Sequence, residues 1–214
     1  MVPRGGQPRN GPPPKRTLAL ADLSDVPRMA RRPTPTNPNP EPKEDQPLAW
    51  ESREFLRKLL VGKMVTGVVM RKDDRTDREY GSIHLGPDTT DANKNVSVLL
   101  VREGLAKVRD FCKEPAYLEA QKEAENNRKG LWSPDAHTHV RKVTWEVPDA
   151  RQLVEEHRGK RIKAVIENVR DGSTVRAFLM TQPEFYHVTI MLSGVRVSLL
   201  LHFYLEWKLQ LHRS

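Results

Sequence analysis

Two groups of bases in this chain have the residue types and spacing to hold phosphates. Lys72, Arg75 and Arg78 lie close together beside Tyr80, and Lys107, Arg109 and Lys113 form a second set further along. Lys and Arg neutralise phosphate oxygens, and an aromatic ring offers a nucleobase a face to stack on. The first group is interleaved with Asp73, Asp74, Asp77 and Glu79, so both sets can equally be read as solvated turn residues. His84, on a strand, and His137 and His139, in a loop, have no carboxylate or Cys neighbours at metal-ligand spacing and read as structural or exposed. Cys112 has no paired His in sequence and reads as a packing residue, while Trp50, Trp132 and Trp145 read as core anchors. Arg31-Arg32 is too short a cluster to stand as an address signal.

The elements that must position these groups begin after a proline-rich start. Twelve of the 17 prolines precede Ala49. Proline lacks an N–H and disfavours helix in the residue before it, so residues 27–49 are predicted to be an extended loop or linker. From Trp50 the pattern is globular: Phe55, Leu56, Leu59 and Leu60 at helical spacing before Gly62, then a Val-rich strand over 63–71. A charged turn over 72–78 leads to a second strand over 80–85, which makes a hairpin. Val96, Leu99, Leu100 and Leu105 mark a short helix closing near Gly104; a brief strand over 106–109 follows. A polar helix over 115–129, burying Leu118 and Ala124, runs to Gly130-Leu131-Trp132-Ser133. A second unit opens with Asp149 as N-cap of a helix through His157, then strands over 161–170, 174–180 and 187–197, the first two joined at Asp171-Gly172. Both units mix a small antiparallel sheet with short helices, so the class is α+β, most simply a small barrel with helices outside it.

Composition narrows the partners. The 214 residues carry one Cys, which excludes a disulfide scaffold and points to a reducing compartment. No stretch reaches the ~20 apolar residues of a membrane helix, and the N-terminus has no signal-peptide core, so a soluble intracellular protein is expected. The net charge is +8, spread as +3 over residues 1–49, +2 over 50–134 and +3 over 135–214. There is no basic tail; a polyanion would need bases gathered by folding.

Arg75-Thr76-Asp77-Arg78-Glu79-Tyr80-Gly81, then Leu100-Val101-Arg102-Glu103-Gly104-Leu105-Ala106-Lys107-Val108, then Gly130-Leu131-Trp132-Ser133 resemble three successive landmarks of the staphylococcal nuclease-like domain. The addition of residues 166–177 and Met191-Leu192-Ser193-Gly194-Val195 resembles the Tudor-containing, multidomain branch of that family, as does the loop over 4–14. The resemblance implies an OB-type five-stranded barrel with packed helices, the first copy lacking its opening strand and the second incomplete. On that basis residues 1–26 start the first nuclease-like domain, 27–49 are its Pro-rich loop, 50–140 the remainder, 141–197 a partial second domain and 198–214 a divergent apolar tail. A truncated or alternatively ended product is expected, with unpaired sheet edges that the tail would cover, or through which the chain would aggregate. The resemblance further implies RNA as partner, single- or double-stranded, together with proteins of the RNA-induced silencing complex, transcriptional co-activation, a cytoplasmic and also nuclear location, and no membrane role.

It also implies a calcium-dependent endonuclease, in which clustered carboxylates hold the metal and two arginines neutralise the phosphate in the transition state. Residue by residue, that machinery is substituted here. The second unit's metal turn reads Asp171-Gly172-Ser173-Thr174, and Arg196 falls where a second metal-binding acid belongs. In the first unit, setting Leu23 in the apolar slot puts Ser24 at the acidic position, whereas a shift by two lets Asp22 and Asp25 take the acidic spacing; the alternation of Leu18, Leu20 and Leu23 favours the first. Ser82 replaces the arginine that follows Tyr-Gly. No catalytic residue and no metal ligand is therefore assigned, and no cofactor is expected, calcium entering only if the family chemistry survives. A protein-interaction scaffold built on the same barrels is the alternative function.

Overall fold

The computed structural model describes residues 17–181 and 184–194. The loop over 4–14, Arg196 and the apolar tail over 198–214 lie outside the described residues. The chain divides into two compact units, one of residues up to Arg28 with Gln46–His139, the other of Met29–Asp45 with the chain from Val140 onward.

The first unit runs β1 (Leu18–Leu20), β2 (Leu23–Ser24), α1 (Ala49–Leu60), β3 (Val65–Asp73), β4 (Arg78–Leu85), α2 (Val96–Arg102), β5 (Lys107–Val108) and α3 (Pro115–Asn126). β3 and β4 form the expected antiparallel hairpin. β1 joins the far side of β4 in parallel, and β2 pairs antiparallel with β5. The described strands thus form a three-stranded and a two-stranded sheet linked by the short segment between β1 and β2, consistent with an OB-like arrangement but without a closed barrel among the described residues. β3 has β4 as its one partner there, and Val65, Val68, Val69 and Met70 along it are exposed, the open edge anticipated above.

The core gathers around α2. Asn95 caps this helix by accepting from the Ser97 N–H, and Val96, Val98, Leu100 and Val101 are almost wholly buried, the signature of a helix covered on several sides. Leu23, Leu105, Val108, Tyr117 and Ala120 pack into the same cluster. On α3, Tyr117, Ala120 and Ala124 form the inward stripe, so Ala124 is buried as expected but Leu118 is not; one residue past Tyr117 rotates it about 100° off that stripe, and it is 41% exposed.

Gly104 ends α2 at φ 67, and its carbonyl accepts from the Leu131 N–H at 2.8 Å. A Cβ on Gly104 would sit 2.2 Å from the Lys129 carbonyl oxygen, and one on Gly130 2.3 Å from that of Gly104. Only glycine permits the two backbones to touch there.

The second unit holds β6 (Lys142–Thr144), α4 (Ala150–Glu156), β7 (Lys163–Val169), β8 (Thr174–Met180) and β9 (Glu184–Met191). Asp149 caps α4 through the Arg151 and Gln152 N–H groups, as its position suggested. β7, β8 and β9 make an antiparallel meander, and β6, too short to be read from sequence, adds in parallel to β9. The proline-rich loop is not a bare linker: Ala30 and Asp45 are buried in this unit, the Ala30 N–H donating to Asp45 Oδ1 at 2.8 Å. Arg141 donates from Nε to Asp45 Oδ2 at 2.9 Å with both side chains almost fully buried, and its guanidinium lies over the rings of Phe178 and Phe185. A delocalised cation tolerates such burial when it is both paired and stacked.

Gly104→Ala should destabilise the first unit by about 3 kcal/mol or more, through left-handed strain and the displaced Lys129 carbonyl, read as loss of hydrogen-exchange protection in α2. Asp45→Ala should cost the second unit about 3–5 kcal/mol, because Arg141 is left charged and buried, and urea unfolding followed by exchange in β8 would measure it.

Candidate nucleic-acid interface

The β3–β4 turn closes through the Arg75 N–H, which donates to Asp73 Oδ1 at 2.9 Å. That bond, with one from the Thr76 hydroxyl, holds the Asp73 carboxyl below the usual carboxylate range. Lys72 pairs with Asp77 across the turn. Arg75 and Arg78 are exposed, so two of the three predicted hairpin bases are presented outward and the third is engaged by an acid. Tyr80 is half-buried, and the Arg71 guanidinium lies 4.2 Å from its ring centre. The cause is a bulge: the register shifts between Val69 and Arg71 and sets Arg71 directly across from Tyr80. The ring expected to receive a base therefore already has a cation on one face, and Arg71, which the sequence reading passed over, is the residue that holds it.

The second predicted group divides in the same way. Lys107 Nζ lies 3.3 Å from Asp25 Oδ2 and over the Trp132 ring. Arg109 is fixed at both ends, its backbone N–H donating to the Asp22 carbonyl and its Nε to the Leu23 carbonyl at 2.9 Å. Its guanidinium lies 5.7 Å from the centre of Phe111, which is 69% exposed. Lys113 is exposed on the same loop, and Cys112 between them is half-buried against the core. Phe111 is the functional candidate that was missed; its signal in sequence is a lone aromatic between Arg109 and Lys113 directly after a short strand. Among the predicted anchors, Trp50 is buried, whereas Trp132 and Trp145 are half-buried; His137 and His139 hydrogen-bond near Pro134 and Glu51.

A cavity of about 180 Å³ in the first unit is lined by Asp22, Ser82, His84, Asn95, Glu114 and Tyr117, among others. It brings together Asp22 and Ser82, two of the positions compared with the family's catalytic set. Ser82 Oγ and His84 Nε2 are 2.9 Å apart, and the buried His84 Nδ1 has no hydrogen-bond partner among the described residues. Leu23 takes the core slot as expected, but Asp22, not Ser24, lines the cavity. The left-handed backbone at Asp22 (φ 62) breaks the strand alternation that favoured Ser24, whose hydroxyl instead donates to the Val108 carbonyl at 3.2 Å. Tyr117 OH accepts from Asn95 Nδ2 at 3.3 Å; burial pushes its phenol above the ordinary value, and the charge of Asp22 adds to the rise.

The donors do not fit the calcium ion that the resemblance implies. Such an ion takes six to eight oxygens, several from carboxylates. Among the described residues no three His, Cys, Asp or Glu side chains gather to hold a metal, and in the second unit Asp171 Oδ1 accepts from both the Ser173 N–H and its hydroxyl. Nor does any Lys or Arg line the cavity among the described residues.

With this geometry in place, residues 22–134 match the family described as staphylococcal nuclease homologues. The chain belongs to the staphylococcal nuclease-like family. It is 39% identical over 194 residues to Staphylococcal nuclease domain-containing protein 1 of Drosophila melanogaster, covering 88% of this chain and 20% of that protein. Ribonuclease TUDOR 2 of Arabidopsis thaliana is 36% identical over 209 residues, covering 88% and 19%. Staphylococcal nuclease domain-containing protein 1 of Schizosaccharomyces pombe is 32% identical over 163 residues, covering 71% and 18%. The chain spans about a fifth of the length of these relatives.

The raised phenol of Tyr117 gives a sign-definite prediction. Unfolded, it ionises near pH ~10, and folded at a higher pH, so its share of stability is complete below about pH 10 and is lost as the pH rises through the folded value. Urea midpoints should therefore fall more steeply above about pH 10 in the parent chain than in Tyr117→Phe, which itself should cost about 1 kcal/mol at neutral pH for the Asn95 bond.

Proposed function

We propose that this chain binds RNA through the first unit, with Phe111 as the stacking ring and Arg109, Lys113, Arg75 and Arg78 as phosphate contacts, and that it hydrolyses RNA poorly by itself. The observation that carries the reading is the exposed Phe111 ring beside an Arg109 fixed by two backbone carbonyl contacts. Single-stranded nucleic acid is held by this combination, a ring for the base and cations for the backbone. The name Ribonuclease TUDOR 2 carried by one relative supports RNA as the polymer. A part in RNA silencing and transcriptional co-activation, in cytoplasm and nucleus, belongs to the same proposal.

The cavity supports the reading of poor hydrolysis. Cleaving a phosphodiester gathers negative charge on the phosphoryl oxygens, and stabilising it takes cations aimed at that point. Here Ser82 is bonded to His84, and Asp22 and Glu114 are acids. Loss of one such electrostatic partner costs ~100- to 1000-fold in rate. A second reading, a protein-docking scaffold, is favoured by the exposed Val68, Val69 and Met70 on the open β3 edge.

Fluorescence anisotropy with a labelled single-stranded RNA separates the two. Affinity should fall linearly on a log–log plot against salt, and Phe111→Ala should weaken binding about tenfold to a hundredfold. Salt-insensitive binding, or Phe111→Ala binding as tightly as the parent, would defeat the RNA reading. With calcium added, the same RNA should stay intact on the timescale of many turnovers of an active nuclease; ready cleavage would defeat the second half of the proposal.

A further inference from the structure

A different concavity lies in the second unit, on the β7–β8 hairpin. It encloses about 500 Å³, open to solvent, and is lined by Glu167, Asn168, Arg170 and Arg176. The sheet register explains the grouping. Ile166 pairs with Ala177 and Asn168 with Arg176, so Glu167 is the extra residue of a bulge. Beyond it, the Arg170 N–H donates to the Thr174 carbonyl at 2.9 Å. Side chains alternate along a strand, so Asn168, Arg170 and the cross-strand Arg176 share one face.

Two arginines on one face repel each other unless an anion lies between them. The nearby acids do not serve. Glu167 Oε2 lies 2.9 Å from His187 Nε2, and Asp171 Oδ1 is taken by the Ser173 N–H and hydroxyl, which hold its carboxyl below the usual range. Among the described residues neither Arg170 nor Arg176 has a carboxylate within ion-pair distance. Both guanidiniums are exposed, and each offers the fork of N–H donors that fits a phosphate.

We propose that Arg170 and Arg176, with the Asn168 amide, hold one phosphate of an RNA backbone, a contact point separate from the first unit's loop. The turn compared above with a metal-binding turn, Asp171-Gly172-Ser173-Thr174, then sets Arg170, just past the end of β7, and Arg176, on β8, on either side of it and takes no part in binding an ion. The assignment rests on the RNA reading for the source of the phosphate, though not for the anion site itself.

The full chain would be titrated with labelled single-stranded RNA from about 50 to 300 mM KCl, comparing the parent, R170Q/R176Q and R151Q/R161Q, the last removing equal charge from exposed arginines elsewhere in this unit. The expected result is a tenfold or greater loss of affinity at about 100 mM salt in R170Q/R176Q and a salt slope shallower by about 0.7, the value for one phosphate on a single strand, with R151Q/R161Q close to the parent. Equal slopes in R170Q/R176Q and the parent, with RNA still bound, would overturn the proposal and leave the RNA reading standing. If the parent binds no RNA, both fall. As a second measurement on the unaltered chain, the Nε–Hε resonances of Arg170 and Arg176 should move with inorganic pyrophosphate before those of Arg151 and Arg161. Movement with pyrophosphate but not with RNA would overturn the RNA assignment in favour of a free-phosphate site, and movement with neither would remove the site altogether.

Discussion

The contact between the backbones of Gly104 and Gly130 is the constraint on which the first unit depends. It fastens the end of α2 to the chain beyond α3 through the Leu131 N–H and the Gly104 carbonyl, with room for no side chain on either glycine. Everything between is then a loop with both ends pinned. That loop contains β5, which pairs β2, the Arg109–Lys113 turn, and the helix that lays Tyr117, Ala120 and Ala124 on α2. Packing of a buried helix, together with the backbone hydrogen bonds that pin the loop's ends and Arg109, thus decides where the exposed ring and cations stand. Loops that carry function are placed by the scaffold beneath them, and here the scaffold is the buried α2 and the inward stripe of α3, locked at their ends.

The charge of the chain acquires meaning only through this placement. A net +8 spread evenly along the sequence identifies no surface. In the folded units, Arg141 is consumed by Asp45 and two rings, Arg57 by Glu54, and Lys72 and Lys107 by aspartates. The bases left for a polyanion are the ones whose neighbours hold their acids in other bonds, as with Arg75 beside an Asp73 that accepts from the turn's own backbone. Composition counts charges; hydrogen bonding decides which of them can reach a partner.

Much of the local structure was legible because it rests on local physics. The Asp149 cap, the short α2 and its Gly104 stop, and the Asp171-Gly172 hairpin each follow from a few neighbouring residues. What escaped was non-local or depended on a single dihedral. β6 is three residues long and exists because β9 offers it an edge. The bulge between Val69 and Arg71 leaves no mark in composition, yet it moves Arg71 onto Tyr80 and takes that ring's face. At Asp22 a positive φ reverses the inside–outside alternation from which Ser24 had been favoured. The family landmarks were readable throughout, while the site's detailed occupancy was not, since one bulge and one left-handed residue were enough to reassign it.

Binding and cleavage make different demands on such a scaffold. Stacking and phosphate contacts are short-ranged and individually replaceable, so they survive substitution at a few positions. Transition-state stabilisation needs several charges converging on one point within a fraction of an ångström, and it fails when any of them is missing. At the cavity, a hydroxyl bonded to a buried imidazole stands beside carboxylates, and the described donors supply neither a metal cage nor a cation. The aromatic and basic groups instead lie on the β3–β4 turn and the β5–α3 loop, held by backbone contacts that do not depend on the cavity being competent. In a fold arranged in this way, the groups proposed to grip a polymer and the groups that line the cavity rest on different supports, so a substitution in one set need not disturb the other.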